Sequence, residues 1–482
     1  MTLAATDNYD LRFGVVGDVH MGYTDRGGKR YPLQDRLTKV LQWYNTQPDV
    51  AAIAIDGDFT QRGSPNEWDM FTATWNAGRG KLRLIGVKGN HDDYPSDKDA
   101  AAVRFEAAVC HRINAHFKMK GYHLISLSAG SGELRIDPSP QGPPYVIATA
   151  RTAVPGNNGN QIDSVSSSLR AWLRERINFA KADAPGKPVF IFHHWPLINT
   201  FYVSNEWYTT SFGTDPLTGW FKDDPEVVIF GAHIHSPNNE PRSIWQGAFT
   251  SLNAPCTNYI EIESGIFLGD STDGISVSSF PKIGSQAHGQ GLIVSVKGSR
   301  VTIDNYDFDM CEGHTSLFSV TKLPQTWEFD ISKPDKFPYT RARRQNQKTS
   351  PVFDASAPSG PVLHRIKIIR IQSTSVEVEF SQARIPLPNP GNEVVHSYRF
   401  ELINKNSGSV LIRKQWSDFM LTPRLQKPEY TQILGGLESG TIYELRIYAV
   451  SSFQDEWNKF IRTGTEAGEC SSQYLSTEFT TY

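Results

Sequence analysis

Short apolar runs alternate with amphipathic stretches along roughly the first 240 residues of the chain. Five of these runs are rich in Val and Ile and most are closely followed by Gly, which is typical of strands buried inside a sheet. Between them, residues 34–47 and 164–180 place apolar side chains at helical spacing. Strand and helix in alternation predict a layered α/β fold. The predicted strands are 11–16, 50–55, 82–87, 188–192 and 226–230.

The pattern changes in the last part of the chain. Residues 375–380, 397–402 and 442–450 alternate apolar and polar side chains with a period of two, which predicts an antiparallel sandwich with one face of each strand buried. Before them, residues 345–361 are polar and contain prolines, as a linker does. We therefore predict a first domain over 1–344, a linker over 345–361 and an all-β domain over 362–482.

Five polar segments lie where the predicted strands of the first domain end. In α/β folds ligands bind at the carboxyl ends of strands. The segments offer carboxylates, an amide oxygen and imidazoles but no thiolate, which is a ligand set for borderline or hard divalent metals. Two metals that share a carboxylate and a water can hydrolyse phosphate esters. The segments are Gly17–His20, Asp56–Asp58, Gly89–Asp92, His193–Pro196 and Gly231–His235.

In chain order, these segments contain the motifs D-x-H, G-D, G-N-H-D, H-x-P and H-x-H. That order resembles the calcineurin-like metallophosphoesterase superfamily, which includes purple acid phosphatases, protein phosphatases, nucleotidases and cyclic-nucleotide phosphodiesterases. The resemblance covers about the first two thirds of the chain. It implies a β-sandwich flanked by helices and a hydrolase that acts on phosphate esters, with monoesters and diesters both left open. It also implies two divalent or trivalent metal ions, such as Mn, Fe or Zn, and attack on phosphorus by a hydroxide that bridges them.

The resemblance implies a role for each polar residue. His91 would not bind metal but would face the substrate, where it would either donate a proton to the leaving oxygen or bind phosphate. Arg62 would contact phosphate oxygens. An exposed arginine at the start of a helix is an equally good interpretation of Arg62. The first ion would be held by Asp18, His20 and His235, the second by Asn90, His194 and His233, and Asp58 would bridge both.

Two of the segments each contain two candidate ligands of the same residue type. His193 and His194 are adjacent, so in a strand their side chains point to opposite sides. The family spacing selects His194 as the ligand and leaves His193 as a packed imidazole. In the same way Asp58 is expected to be the bridge, and Asp56 is expected to orient a histidine ligand.

The chain departs from the family pattern in two places. Ala232 stands where the last motif usually has Gly, and this side chain is small enough for the backbone to tolerate. Gln61 replaces the aspartate that supports the catalytic histidine in the protein phosphatase branch, which argues against that branch.

Residues 437–447 resemble the late strands of fibronectin type III domains, with Tyr443 in the position of a tyrosine corner. Such modules usually bind partners or separate other domains and rarely catalyse reactions, so we assign this domain no catalytic role. The alternative hypothesis is a binding protein whose sandwich recognises a surface or a carbohydrate, with the phosphoesterase fold secondary. A decayed enzyme usually loses a ligand, and the intact ligand set argues against one.

Composition narrows the possible partners. The 482 residues carry 48 basic and 51 acidic side chains, and this balance does not suggest a nucleic-acid-binding surface. No stretch has the apolar length of a membrane span. The four cysteines are far apart and lack metal-type spacing. A phosphate ester is the expected partner. The oligomeric state stays open. The compartment also stays open: no signal peptide is present, but a secreted or periplasmic chain that has been trimmed could start in the same way as a cytoplasmic one.

Three further expectations concern regions outside the motifs. Residues 99–118 are predicted to form a helix that carries His111 and His116 as ordinary histidines. Aromatic side chains of the loop after His194 are expected either to pack against the sheet or to line the substrate pocket. The basic cluster 341–344 is expected to be a solvated loop. The loop aromatics are Phe201, Tyr202, Trp207 and Tyr208.

Overall fold

The computed structural model describes residues 8–23, 33–94, 97–128, 167–204, 219–263, 266–267, 288–310, 318–353, 356–357, 360–361, 366–417, 429–453 and 470–482. The statements below concern these ranges. None of their helices is both long enough and apolar enough to cross a membrane.

Helices and strands alternate in the first 235 residues, and strands dominate afterwards. The helices are α1 (Leu33–Thr46), α2 (Pro65–Gly78), α3 (Lys98–Val109), α4 (Ser167–Asp183) and α5 (Arg341–Gln347). The strands to residue 263 are β1 (Leu11–Val16), β2 (Val50–Asp56), β3 (Arg83–Val87), β4 (Ala115–Met119), β5 (Tyr122–Ser126), β6 (Val189–Phe192), β7 (Val227–Gly231), β8 (Ile244–Gln246), β9 (Thr250–Asn253) and β10 (Glu261–Glu263). They continue as β11 (Ile266–Phe267), β12 (His288–Lys297), β13 (Arg300–Met310), β14 (Phe318–Asp330), β15 (Val352–Phe353), β16 (Ser356–Ala357), β17 (Gly360–Pro361), β18 (Ile366–Ile371), β19 (Ser375–Ser381), β20 (Ala383–Arg384), β21 (Val395–Asn404), β22 (Val410–Trp416), β23 (Glu429–Gly435), β24 (Ile442–Ser451) and β25 (Cys470–Thr480).

The described chain divides into two compact units. The first contains residues 1–238, 243–260 and 286–340, and the second contains 239–242, 261–285 and 341–482. Two short segments from the middle of the chain therefore belong to the unit that is otherwise C-terminal. The domain limits expected from the sequence stay a prediction.

Two six-stranded mixed sheets form the first unit. One has the strand order β14-β13-β12-β1-β2-β3, and the other has the order β4-β5-β6-β7-β9-β8. β1, β2 and β3 run parallel, while β12 pairs with β1 in the antiparallel direction, with Leu11 opposite Val296. β5, β6 and β7 are also parallel. The carboxyl ends of neighbouring parallel strands lie at one edge of each sheet.

A buried apolar layer joins the two sheets of this unit. Phe13 on β1 contacts Phe190 and Phe192 on β6, with ring centroids 5.0 and 6.0 Å apart. A second apolar cluster lies between α1, α2, α3 and the other face of the first sheet, and a third includes residues of α4 and the second sheet. The central strands are apolar along their whole length because both faces of each sheet are covered.

The second unit contains an antiparallel sandwich. A three-stranded sheet (β18-β19-β23) and a four-stranded sheet (β22-β21-β24-β25) share one apolar core. Inward-facing residues alternate along β19 and β24, as the period of two predicted. At the start of β24, the backbone N–H of Glu438 donates to the Tyr443 hydroxyl at 3.0 Å.

Two expectations about local structure were wrong. Helix α3 ends at Val109 because Cys110 takes a left-handed conformation, with φ 60°, and His116 lies on β4 rather than on a helix. The basic cluster 341–344 is not a solvated loop. It begins α5, where Arg344 is buried and donates a hydrogen bond to the carbonyl of Pro241 within the same unit.

Candidate metal centre

The predicted ligand residues lie just beyond strand ends. Asp18 follows β1 by two residues and Asp58 follows β2 by two, while Asn90 follows β3 by three. In the second sheet, His194 follows β6 by two residues and His233 follows β7 by two. The strand ends thus bring carboxylate, amide and imidazole groups from both sheets of the first unit to one place.

Asp18, His20 and His235 form one group of donor atoms. Nε2 of His235 lies 3.4 Å from Oδ1 of Asp18, and 3.2 Å from Nε2 of His20. The other oxygen of Asp18 accepts the backbone N–H of His233 at 3.1 Å. All three ligand side chains are at least nine-tenths buried. Two imidazole nitrogens and a carboxylate oxygen therefore converge on one small volume.

Asp58, His194 and His233 form a second group. Nε2 of His194 lies 3.4 Å from Oδ2 of Asp58 and 3.1 Å from Oδ1 of Asn90. The rings of His194 and His233 are 5.2 Å apart. Asn90 thus lies beside this group, with its amide oxygen facing Nε2 of His194.

Asp58 stands between the two groups. Its Oδ2 lies 3.6 Å from Nε2 of His20 on one side and 3.4 Å from Nε2 of His194 on the other. Its Oδ1 accepts the backbone N–H of His91 at 2.9 Å. Like Asp18, it is fixed through one oxygen and directs the other toward imidazoles.

The backbone is left-handed at five of these positions. Such φ values are uncommon for residues other than glycine and gather at functional sites. The five angles are 49° at Asp18, 50° at His20, 49° at Asp58, 68° at His233 and 52° at His235.

Two glycines make room for the ligands. Gly57 has φ +91°, and a Cβ there would lie 2.0 Å from Nδ1 of His194. A Cβ at Gly89 would lie 2.1 Å from Oδ1 of Asp58. Neither position tolerates a side chain without displacing a ligand. This is the physical reason for Gly in the G-D and G-N-H-D motifs.

Backbone carbonyls orient two of the imidazoles. Nδ1 of His194 lies 2.8 Å from the carbonyl oxygen of Asp56, and Nδ1 of His235 lies 3.1 Å from that of Tyr259. Hydrogen bonds of this kind fix the ring and leave Nε2 to bind a metal. We expected the Asp56 carboxylate to orient a histidine, but its backbone carbonyl makes this contact. The Asp56 carboxylate is buried and, among the described residues, its oxygens have no hydrogen-bond partner.

The pKa values of the site residues are set by burial and by the charges of neighbouring side chains. Burial raises the pKa of Asp58, but the imidazoles of His194, His91 and His20 outweigh burial and bring it well below its usual range. Burial lowers the pKa of His194, but attraction and hydrogen bonding to Asp58 raise it to about 10. Burial holds the pKa values of His20 and His233 well below 6.5, which keeps both imidazoles in the neutral form that binds metals.

Asp92 is a supporting residue to which sequence reasoning assigned no role. Its carboxylate accepts the backbone N–H groups of Phe59, Thr60 and Gly89 at 3.2, 2.9 and 3.0 Å. It therefore ties the loop after β2 to the loop after β3. Burial raises the pKa of Asp92 to about 7, with the Asp58 charge adding to the increase. The final D of G-N-H-D was the available signal.

The buried groups fit cations. Oxygen and imidazole donors within 4.8 Å of one another form three overlapping groups, and the third contains His20, Asp58 and His91. Carboxylate oxygens and imidazole nitrogens packed this closely are the ligand types that a divalent ion takes. The expected ligands and His91 are therefore brought together in the structure.

Other candidate residues lie elsewhere. His193 is buried, with Nδ1 2.9 Å from the carbonyl of Leu127, and lies outside the three donor groups. His111 accepts the backbone N–H of Gly86 at 2.9 Å. The side chain of Arg62 is exposed.

The loop aromatics are only partly described. Phe201 and Tyr202 are buried at 0% and 1% exposure, so packing explains them. Trp207 and Tyr208 lie outside the described residues. The aromatic rings that contact candidate ligands come instead from Tyr259 and Trp195.

Comparison with known proteins gives a family for part of the chain. Residues 11–237 match the family model of calcineurin-like phosphoesterases, a family of metal-dependent hydrolases. No curated protein matches the chain significantly.

Two solved structures show low overall similarity to this chain. One is described as a myokine structure: it is 15% identical, with a TM-score of 0.16, over 28% of this chain and 96% of that chain. Another is a computationally redesigned β-sandwich protein: it is 22% identical, with a TM-score of 0.15, over 24% of this chain and 89% of that chain. Neither supports an argument about fold or function.

Proposed function

We propose that the calcineurin-like phosphoesterase domain matched at residues 11–237 hydrolyses phosphate esters with two bound metal ions. The observation that carries the proposal is the position of Asp58. Its Oδ2 lies 3.6 Å from His20 and 3.4 Å from His194, and these histidines belong to different donor groups. One carboxylate that serves two groups is what a bridged pair of ions requires.

The assignment of ligands follows the two groups. When bound, the ions would supply Lewis acidity toward phosphoryl oxygens and toward a water. Oxygen and imidazole ligands without thiolate suit Mn, Fe or Zn. The first ion is assigned to Asp18, His20 and His235, the second to Asn90, His194 and His233, and Asp58 to both.

His91 is assigned to proton transfer. Its backbone N–H is fixed on Asp58, and its Nδ1 lies 2.8 Å from the carbonyl oxygen of Gln61. A proton held on Nδ1 by that carbonyl leaves Nε2 as the nitrogen that exchanges a proton with the leaving oxygen. The Gln61 carbonyl thus replaces the aspartate that is missing at this position.

Arg62 is assigned to binding of phosphate oxygens. Its side chain is exposed and directly follows Gln61, whose carbonyl contacts His91. A guanidinium at this position can reach solvent-facing oxygens of a bound ester and form two hydrogen bonds with them.

The all-β region over 362–482 is proposed to be a fibronectin type III-like domain joined by a linker over 345–361 to a catalytic domain over 1–344. The hydrogen bond from Glu438 to the Tyr443 hydroxyl supports a tyrosine corner. A sandwich of three and four antiparallel strands supports the same family. We assign this domain a binding or spacing role.

The test is reconstitution with metal. Metal-free protein is loaded with Mn, Fe or Zn, and bound ions are counted by mass spectrometry. The loaded protein is assayed on an aryl phosphate, a bis-aryl phosphate, nucleotides, cyclic nucleotides and phosphoinositides. We expect activity to require two ions per chain, and the panel separates monoesterase from diesterase. Full activity with one ion or none would overturn the proposal.

A further inference from the structure

A buried thiol contacts the first group of ligand residues. Cys256 follows β9 by three residues and is fully buried within the first unit. Its S–H donates to the backbone carbonyl of Asp18 at 3.1 Å. Cys256 belongs to none of the three donor groups found among the described residues. The thiol thus contacts a residue that supplies a ligand without being part of the ligand set itself.

The same sulfur holds the loop that follows it. The backbone N–H groups of Asn258 and Tyr259 donate to Sγ of Cys256 at 3.3 and 3.4 Å. The carbonyl oxygen of Tyr259 lies 3.1 Å from Nδ1 of His235. Cys256 therefore fixes the residue whose carbonyl orients the imidazole of His235.

Backbone hydrogen bonds hold this loop against the end of β1. Gly17 donates its N–H to the carbonyl of Pro255 at 2.8 Å, and the carbonyl of Gly17 accepts the N–H of Thr257 at 3.0 Å. These bonds keep the thiol at the Asp18 carbonyl. Oδ1 of Asp18 lies 3.4 Å from Nε2 of His235. One sulfur is thus joined to the residue that supplies the carboxylate and to the residue that orients the imidazole beside it.

From these contacts we infer, on the basis of the proposed function, that Cys256 positions Asp18 and His235 for the first ion. A thiol suits this role because its sulfur donates one hydrogen bond and accepts others. The residue acts through the two ligands and binds no ion itself. Its loss therefore weakens binding of the first ion and leaves binding of the second ion unchanged.

The test titrates the metal-free full chain with Zn²⁺ in a calorimeter, where two ions give two binding steps. His235→Ala and Asn90→Ala identify the steps of the first and the second ion. We expect Cys256→Ala to weaken the first-ion step about 10- to 100-fold, the usual cost of losing a partner that orients a metal ligand. The other step should not change. Cys256→Ser keeps a donor and an acceptor, so it should recover part of the lost affinity.

Val294→Ala is the matched control, because Val294 is also fully buried in the first unit but lies in its apolar core. It should lower the melting temperature and leave both binding steps unchanged.

Three results would overturn the inference while the proposed function stands. The wild type binds two ions, but Cys256→Ala loses no more first-ion affinity than Val294→Ala does. Cys256→Ser binds the first ion no better than Cys256→Ala, which excludes hydrogen bonding as the cause. The Co²⁺-loaded wild type shows a thiolate charge-transfer band that Cys256→Ser lacks, which makes Cys256 a ligand. If the wild type binds fewer than two ions, the proposed function and the inference that rests on it both fail.

Discussion

The backbone N–H of His91 donates to Oδ1 of Asp58 at 2.9 Å. The residue assigned to proton transfer is therefore fixed directly on the residue assigned to bridge the ions. A change in the position of one is transmitted to the other without an intervening side chain. Mutations at the two sites should nevertheless have different effects, since one uses its carboxylate and the other its ring.

Asp58→Asn should abolish two-ion binding. The amide keeps the size of the side chain but removes the negative charge shared by two donor groups. We expect metal affinity to fall by more than about 100-fold, beyond the usual effect of changing an outer-shell partner. Bound metal per chain is the measurement. Asp49→Asn is a matched control, because Asp49 is exposed and also left-handed, with φ 57°. A two-ion, active Asp58→Asn protein would contradict the bridging role.

His91→Ala should retain both ions and lose turnover. General acid catalysis typically contributes about 10²- to 10⁴-fold, and the loss should be largest for poor leaving groups. Metal content and kcat are measured on esters of graded leaving-group pKa. Because donor atoms of His91, His20 and Asp58 lie within 4.8 Å of one another, loss of an ion would show that His91 is itself a ligand.

Gly57→Ala should weaken metal binding at the second ion. The added Cβ would lie 2.0 Å from Nδ1 of His194, so the imidazole must move. Gly186→Ala separates this clash from backbone strain, because Gly186 also has a positive φ, +73°, and a Cβ there meets nothing within 4 Å. Both variants should lose about 1 kcal/mol of stability from the left-handed backbone. Only Gly57→Ala should lose metal affinity, and equal affinities would refute the packing argument.

The stability of the metal-free protein should depend on pH through His111. Burial lowers the pKa of this imidazole to about 4, while its hydrogen bond with the Arg112 carbonyl opposes the decrease. The unfolded chain protonates His111 near pH 6.5, so the stabilising contribution is complete above that pH. It is lost as the pH falls to 4, by about 3 kcal/mol. Urea unfolding of the wild type and His111→Gln between pH 7 and 4 measures this, and equal slopes would exclude His111 as the cause.

A fragment that ends at Ser350 should bind metal like the full chain but melt at a lower temperature. All assigned ligands precede residue 236, whereas segment 239–242 belongs to the second unit. Within that unit Arg242 and Glu240 are fully buried and ion-paired at 2.8 Å. The fragment lacks most of the second unit that surrounds this ion pair, so the pair loses the contacts that hold its buried charges in place. Metal content and melting temperature of the two proteins are compared. A fragment without metal would show that the second unit shapes the centre.

The place of the centre could be predicted because its polar residues directly follow apolar strands in the sequence. Asp18, Asp58 and His233 each follow a strand closely, and strand ends are readable from apolar runs. The choice of Asp58 and of the donor residues around it came from the resemblance to the calcineurin-like superfamily and not from the strand pattern. Periodicity likewise anticipated the antiparallel sandwich, because its strands bury one face each.

Other features depend on contacts that no pattern encodes. Cys110 ends helix α3 in a left-handed conformation without the glycine that usually marks such an end. The buried side chain of Arg344 meets a carbonyl about a hundred residues earlier in the chain. Tyr94 and Tyr259 contact imidazoles through space, whereas the loop that follows His194 in the sequence pointed to Phe201 and Tyr202 instead.

The pairing of β1 with β12 has a consequence for synthesis. The strand that leads to Asp18 and His20 emerges from the ribosome long before its antiparallel neighbour β12, in which Val296 lies opposite Leu11. Until then one edge of β1 is unpaired, and such edges invite aggregation. Long-range pairing of this kind also slows folding. The nascent chain is therefore expected to need chaperone protection.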